Sequence, residues 1–164
     1  MERGKNIVLV SHCILNQNSV VLPLARAKGS YNALCRTIFD NDIGILQLPC
    51  PEITHLGLSR PPMTKEEYDT IAYRQLCKEL ILPILTQLLF YREAGYNLIG
   101  IIGIDQSPTC SLNNTGILME SLLELLDQHK INLRHIAVPT TYHESNNTSF
   151  STELSQWIQE GINN

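Results

Sequence analysis

Short apolar runs punctuate this chain at Asn6 to Ser11, Ile43 to Leu48, Leu98 to Ile104 and Leu133 to Val138. The first contains IVLV and the third reads LIGIIGI, with no polar alternation. Strands buried on both faces have this pattern, as in parallel sheets covered by helices. Between them the apolar period changes to that of a helix. Tyr31 to Asp40 has the spacing through Leu34, Cys35, Ile38 and Phe39, and Gly116 to Lys130 has it through Leu118, Leu122, Leu125 and Leu126. Thr64 with Glu67 is a capping-box pair. The helix it opens is expected to run to about Ala94 and end at Gly95. Its buried face is read as Ile71, Leu80, Ile81, Ile84, Leu85 and Leu88, and Pro83 is expected to bend or break it. A last helix is expected over Ser151 to Ile162, capped by Ser151 or Thr152, with Trp157 inward.

The segment from Ile14 to Lys28 is ambiguous and is split by Pro23. PCPEITHLGLSRPPMT, rich in Pro and Gly, predicts a long surface loop, and Asp105 to Thr115 a polar one. Gly100 and Gly103 in the third run predict a close approach of neighbouring backbone. Strands alternate with helices, so the fold class is α/β. The expectation is a single three-layer Rossmann-like domain over residues 1–164 with a mostly parallel sheet of about four strands.

Composition narrows the function classes. With 17% charged residues and a formal net charge of -4, the chain has no basic footprint for a phosphate backbone, so no nucleic acid partner is expected. No run approaches the ~18 apolar residues of a membrane span, so no membrane partner is expected either. MERGKNIVLV passes from a charged stub straight into a strand, without the apolar core of a secretory leader. A cytoplasmic protein is expected, in which the glycosylation sequons at Asn113, Asn146 and Asn147 carry no meaning. Five cysteines in such a chain suggest metal binding, catalysis or core packing before disulfides.

Three of those cysteines change the picture. Cys13, Cys50 and Cys110 each fall just past an apolar run, where an open parallel sheet binds its ligands. Nearby helix N-termini would favour their thiolates. Thiolates select zinc, copper(I) or iron–sulfur clusters. Structural zinc wants four ligands, and His12 or His55 is a candidate fourth. Three-cysteine ligation of a four-iron cluster leaves one iron open. The plain alternative is that these cysteines pack as small hydrophobes, as Cys35 and Cys77 on helical faces are expected to do.

The three segments read VSHCIL, CPEITHLGLSRPP and SPTCS, in that order between residues 7 and 112. Together they resemble the thiouracil desulfidase-like (TudS-like) family, in which an early Val-Ser-x-Cys, a middle Cys-Pro-Glu and a late Ser-Pro-Ser-Cys recur. The resemblance implies an α/β domain holding a [4Fe-4S] cluster on Cys13, Cys50 and Cys110. It also implies removal of sulfur from a small thiolated substrate such as a thiopyrimidine. The chain departs from the family after the first cysteine, where ILNQNSVV replaces Leu-Leu-Gly and a following Cys-Arg-Tyr-Asp-Gly, and at Ser111, where the family has glycine. These changes touch the substrate pocket and leave the three cysteines in place.

Replacing C=S by C=O requires a base for water and an acid for the leaving sulfur or ring nitrogen. Glu52, two residues from Cys50, is the first candidate, with Asp105 at a strand end and Ser107 beside it. Their plainer roles are a loop carboxylate, an Asx turn and a turn hydroxyl. His12 and His55 are candidates to support the cluster or substrate from outside the ligand set. Arg60 is a candidate to hold an anionic substrate group, its plainer role being a solvated surface arginine; His143 and Glu144 are candidates to close the same rim, and Asn113 and Asn114 read as helix caps before ligand contacts. The alternative to an enzyme is a non-catalytic iron–sulfur or metal-binding module, such as a sulfur carrier or sensor. The oligomeric state is not legible.

Overall fold

In the computed structural model, which describes residues 1–146 and 148–163, the four apolar runs form four parallel strands. They are β1 (Asn6–Val10), β2 (Gly44–Gln47), β3 (Asn97–Ile104) and β4 (His135–Val138), in the order β2-β1-β3-β4. Val8, Leu9, Val10, Ile101 and Ile102 are wholly buried, as strands covered on both faces require. Helices α2 (Asn32–Phe39) and α7 (Thr148–Ile162) pack together on one side. Helices α5 (Ile71–Glu93) and α6 (Ile117–Gln128) pack together on the other, giving three layers. The expected α/β Rossmann-like architecture is therefore present, with every strand pair parallel. No helix among the described residues is long and apolar enough to cross a membrane.

The pairing of β1 with β3 slips by one residue: Ile7 faces Leu98, while Val8 faces Gly100. Ile99 is thus the extra residue of a bulge. Gly100 follows it with φ +148°, and a Cβ there would run into the Arg134 carbonyl oxygen. The close approach read from the glycine is real, and its partner is the segment entering β4.

Several local expectations need correction. The Pro-rich segment after Cys50 is not all loop: Pro51–Leu56 is helix α3. Pro51 occupies its first position, where a missing N–H costs nothing, and Gly57 at φ 76° ends it. The capping box of Thr64 and Glu67 forms with both hydrogen bonds, but the helix it opens, α4 (Lys65–Tyr68), stops after one turn. Asp69 turns the chain, and its carboxylate is gripped by Arg74. Thr70 then caps α5 by accepting from the Tyr73 N–H. Ile71, now in the first turn of a new helix, is 91% exposed and not part of the buried face. Leu80 and Ile84 are half-buried, and Tyr73, Cys77, Ile81, Leu85 and Leu88 make the buried stripe.

Pro83 does not interrupt α5; it lies on the exposed side of the helix. α7 starts at Thr148, ahead of the expected cap at Ser151 or Thr152, and Asn147 lies outside the described residues. Trp157 is inward as expected, under the Arg134 guanidinium at 5.0 Å.

Candidate functional site

At the carboxyl edge of the sheet the chain leaves β1, β2 and β3 through three short connections, and each delivers a cysteine. Ser11 follows β1, and its N–H donates to the Ile102 carbonyl of β3. A one-turn helix, α1 (His12–Leu15), begins immediately and carries Cys13. Leu48 follows β2, fully buried, and the chain turns through Cys50 into α3. Cys110 lies in the turn after β3. There the Ser107 hydroxyl accepts the N–H groups of Thr109 and Cys110 at 3.3 and 3.0 Å, and the Ile104 N–H donates to the Cys110 carbonyl. Gly116 closes this turn, since a Cβ there would stand 2.7 Å from the Cys110 nitrogen.

The three cysteines line one cavity of about 340 Å³. His12, Glu52, Arg60, Asp105 and Ser107 line it as well. Val20, Val21, Leu24, Tyr31 and Ile104 give it apolar walls. The cavity sits beside the neighbours β1 and β3, where the strand order reverses direction, as ligand sites of open α/β sheets do.

The thiols are close enough to oppose one another's ionisation. Burial pushes Cys13 up to about 12, with Cys50 and Glu52 adding repulsion and Arg26 opposing it. Burial also raises Cys50, and it raises Cys110 well above the ordinary thiol value, with Cys13 and Cys50 adding to the effect. In the metal-free chain burial thus works against the thiolates that helix N-termini would favour, and α1 and α3 are only one or two turns long. Cys77, in the core as expected, is raised to about 12 by burial.

This sets a pH dependence. A thiol whose pKa is higher folded than unfolded stabilises the fold fully below its unfolded value of about 8.5, and loses that contribution as pH rises through the folded value. Metal-free protein is expected to lose stability between about pH 9 and pH 12, as followed by thermal unfolding in a pH series. A curve that is flat over that range would contradict the buried-thiol assignment.

Glu52 is held by a buried ion pair. Arg60 Nη2 and Nε reach its Oε2 at 3.1 and 3.3 Å, and Arg60 also donates to the Ser19 and Gly57 carbonyls. The side chains are 2% and 15% exposed, so Arg60 is not a solvated surface residue: it lines the cavity together with its partners Glu52 and Ser19. Tyr68 stands beside this pair, its buried hydroxyl close to the Arg60 guanidinium.

His12 receives Gln47 Nε2 on its Nδ1 at 2.5 Å, which leaves the proton of the neutral ring on Nε2, and burial lowers its pKa. Asp105 accepts from Asn113 at 3.3 Å.

Other candidates lie elsewhere. His55 stands on the exposed side of α3 with its ring edge-on to Tyr73 at 5.3 Å, outside the cavity. Glu144 does not close the rim: its Oε1 accepts the Ala33 N–H at the start of α2 and its Oε2 the Tyr142 hydroxyl. His143 pairs with Asn146 in an isolated bridge. Thr140, from the same connection, does reach the cavity. Asn113 and Asn114 do not cap α6, whose N-cap is Gly116.

Sequence reading missed Arg26, Gln17 and Tyr31. An arginine inside the apolar stretch VVLPLARA was the available signal for the first of them.

A [4Fe-4S] cluster would meet three soft sulfurs in this cavity, and one further feature suits it. The Ser11 hydroxyl is fully buried beside Cys110, placed to favour an ionised sulfur there. No group of three or more His, Cys, Asp and Glu side chains among the described residues is arranged to hold a metal ion. A cluster makes a different demand from a single ion, because its ligands bind separate corners and stand farther apart. Three thiols lining one cavity are the donor type that such a cluster takes.

Comparison with known proteins gave one informative relative. The uncharacterized protein MJ0003 of Methanocaldococcus jannaschii is 46% identical over 158 residues, a span of 96% of this chain and 99% of that protein. No protein-family model matches the chain, and no solved structure matches it.

Proposed function

The chain belongs to the family of the Methanocaldococcus jannaschii protein MJ0003, and from its site we propose that it is a [4Fe-4S]-dependent desulfidase of the TudS-like type, acting on a small thiolated compound. The observation that carries this reading is the convergence of Cys13, Cys50 and Cys110 on one cavity that also contains Glu52, Asp105 and Ser107. When bound there, the cluster supplies a soft Lewis acid with a vacant position, suited to a thiocarbonyl sulfur.

The remaining work falls to the chain. Both Arg60 contacts use Glu52 Oε2, which leaves Oε1 to take a proton from the attacking water. Ser107 Oγ already accepts two backbone N–H groups, so its own proton is available to a developing negative charge. His12 Nε2–H and Asp105, which line the same cavity, orient the substrate or water. The apolar walls exclude bulk water and strengthen these contacts. The balance is C=S plus water to C=O plus hydrogen sulfide, with no electrons exchanged.

Anaerobic purification tests the reading. The expected result is a brown protein with the iron and sulfide stoichiometry of one cluster per chain, releasing sulfide from 2-thiouracil, and a Cys13→Ser variant that has lost both iron and activity. A brown but inert wild type would leave the non-catalytic cluster module. A colourless wild type after reconstitution would end both readings.

A further inference from the structure

Arg26 is the one cavity-lining charge whose position the proposed chemistry does not use. Its backbone N–H donates to Gln17 Oε1 at 2.9 Å, and Gln17 Nε2 donates to the Cys13 carbonyl at 2.8 Å. Gln17 is 2% exposed, so this clamp is rigid. At the far end, Arg26 Nη1 donates to the Pro139 carbonyl at 2.5 Å, and the guanidinium carbon lies 5.8 Å from the centre of the Tyr31 ring. Tyr31 is itself buried and fixed edge-on against Tyr142 at 4.7 Å.

The contrast with Arg60 is the point. Arg60 is spent on Glu52 and two carbonyls. Arg26 has no carboxylate partner among the described residues, and its contacts with the Pro139 carbonyl and the Tyr31 hydroxyl still leave most of its N–H groups for a ligand. A planar fork held at both ends on an aromatic face is preorganised for a bidentate carboxylate. A phosphate dianion would call for a second uncommitted cation, and the other arginine here is taken.

We propose that Arg26 is a substrate-specificity residue, and that the cavity takes a small planar compound carrying a carboxylate, which Arg26 grips while Tyr31 and the Val20, Val21 and Leu24 side chains cover the ring. The proposal rests on the desulfidase reading for the sulfur end of the ligand only. The carboxylate end stands on Arg26 itself.

Three probes separate the two. Orotate has the ring and the carboxylate without sulfur, 2-thiouracil has the sulfur without the carboxylate, and 2-thioorotate has both. Binding to anaerobically purified protein is read by titration calorimetry, and sulfide release is read separately. Orotate and 2-thioorotate are expected to bind at least tenfold more tightly than uracil and 2-thiouracil respectively. Arg26→Gln is expected to abolish that preference, with a loss for the carboxylates on the order of tenfold to a hundredfold greater than for 2-thiouracil. Arg26→Lys, which keeps the charge and loses the fork, should fall between. An equal loss for all ligands in Arg26→Gln, or no preference for the carboxylates in wild type, overturns the proposal. Carboxylate preference without sulfide release would uphold Arg26 and sink the desulfidase instead.

Discussion

Gly100→Ala is expected to destabilise the domain by more than about 3 kcal/mol, the range reserved for backbone overlap and strained dihedrals. Two costs add. Alanine at φ +148° is strained, and its Cβ would collide with the Arg134 carbonyl oxygen while standing 2.8 Å from the Trp157 ring. Neither neighbour yields easily. The Arg134 carbonyl receives the Ile101 N–H that joins β3 to the approach of β4, and Trp157 is packed under the Arg134 guanidinium. The effect should extend to the site, since β3 leads directly to Asp105, Ser107 and Cys110. Urea unfolding of Gly100→Ala beside Gly29→Ala checks it, because a Cβ at Gly29 meets nothing within 4 Å and should change stability by less than about 0.5 kcal/mol. Equal midpoints for the two variants would contradict the account.

Arg60→Met is expected to cost about 3–5 kcal/mol, because it leaves the largely buried Glu52 carboxylate without its partner and deprives the Ser19 and Gly57 carbonyls of their donor. At roughly 2–4 °C per kcal/mol for a chain of this size, the melting temperature should fall by on the order of 10 °C. The double change Glu52→Gln with Arg60→Met removes the stranded charge and should recover part of the loss. A double-mutant cycle measures that coupling directly. If the double variant were as unstable as the sum of the singles, the pair would not be acting as one buried unit.

How much of this could be read from the sequence depends on the range of the interaction. The IVLV and LIGIIGI runs give away buried parallel strands, because burial on both faces leaves no room for polar alternation. The capping box at Thr64 was legible for the same reason: its two hydrogen bonds join neighbours in the chain. What failed was set by partners distant in sequence or by a local choice between near-equal options. α5 starts afresh because Thr70 captures the Tyr73 N–H and Arg74 captures Asp69. Periodicity alone runs straight through that break.

The site divides along the same line. Strand-end position brought Cys13, Cys50 and Cys110 together on paper, and they line one cavity. Their burial was not legible, since it is a property of the whole fold, and in the metal-free chain it raises all three thiols. Arg60 was misread for the converse reason. Its acceptors are contributed by Glu52, Gly57 and Ser19, and nothing near it in the chain announces the Ser19 carbonyl, forty-one positions away.

The pairing of β1 with β3 has a consequence during synthesis on the ribosome. β1 emerges first, yet one of its two flanks is completed only by residues 97–104. Until then Ile7 to Val10 can join β2 on one side while the other presents bare peptide groups and greasy side chains, an invitation to self-association. Crowded overexpression should therefore send nascent chains into aggregates chiefly before that stretch leaves the exit tunnel, and fragments that stop short of it should be insoluble.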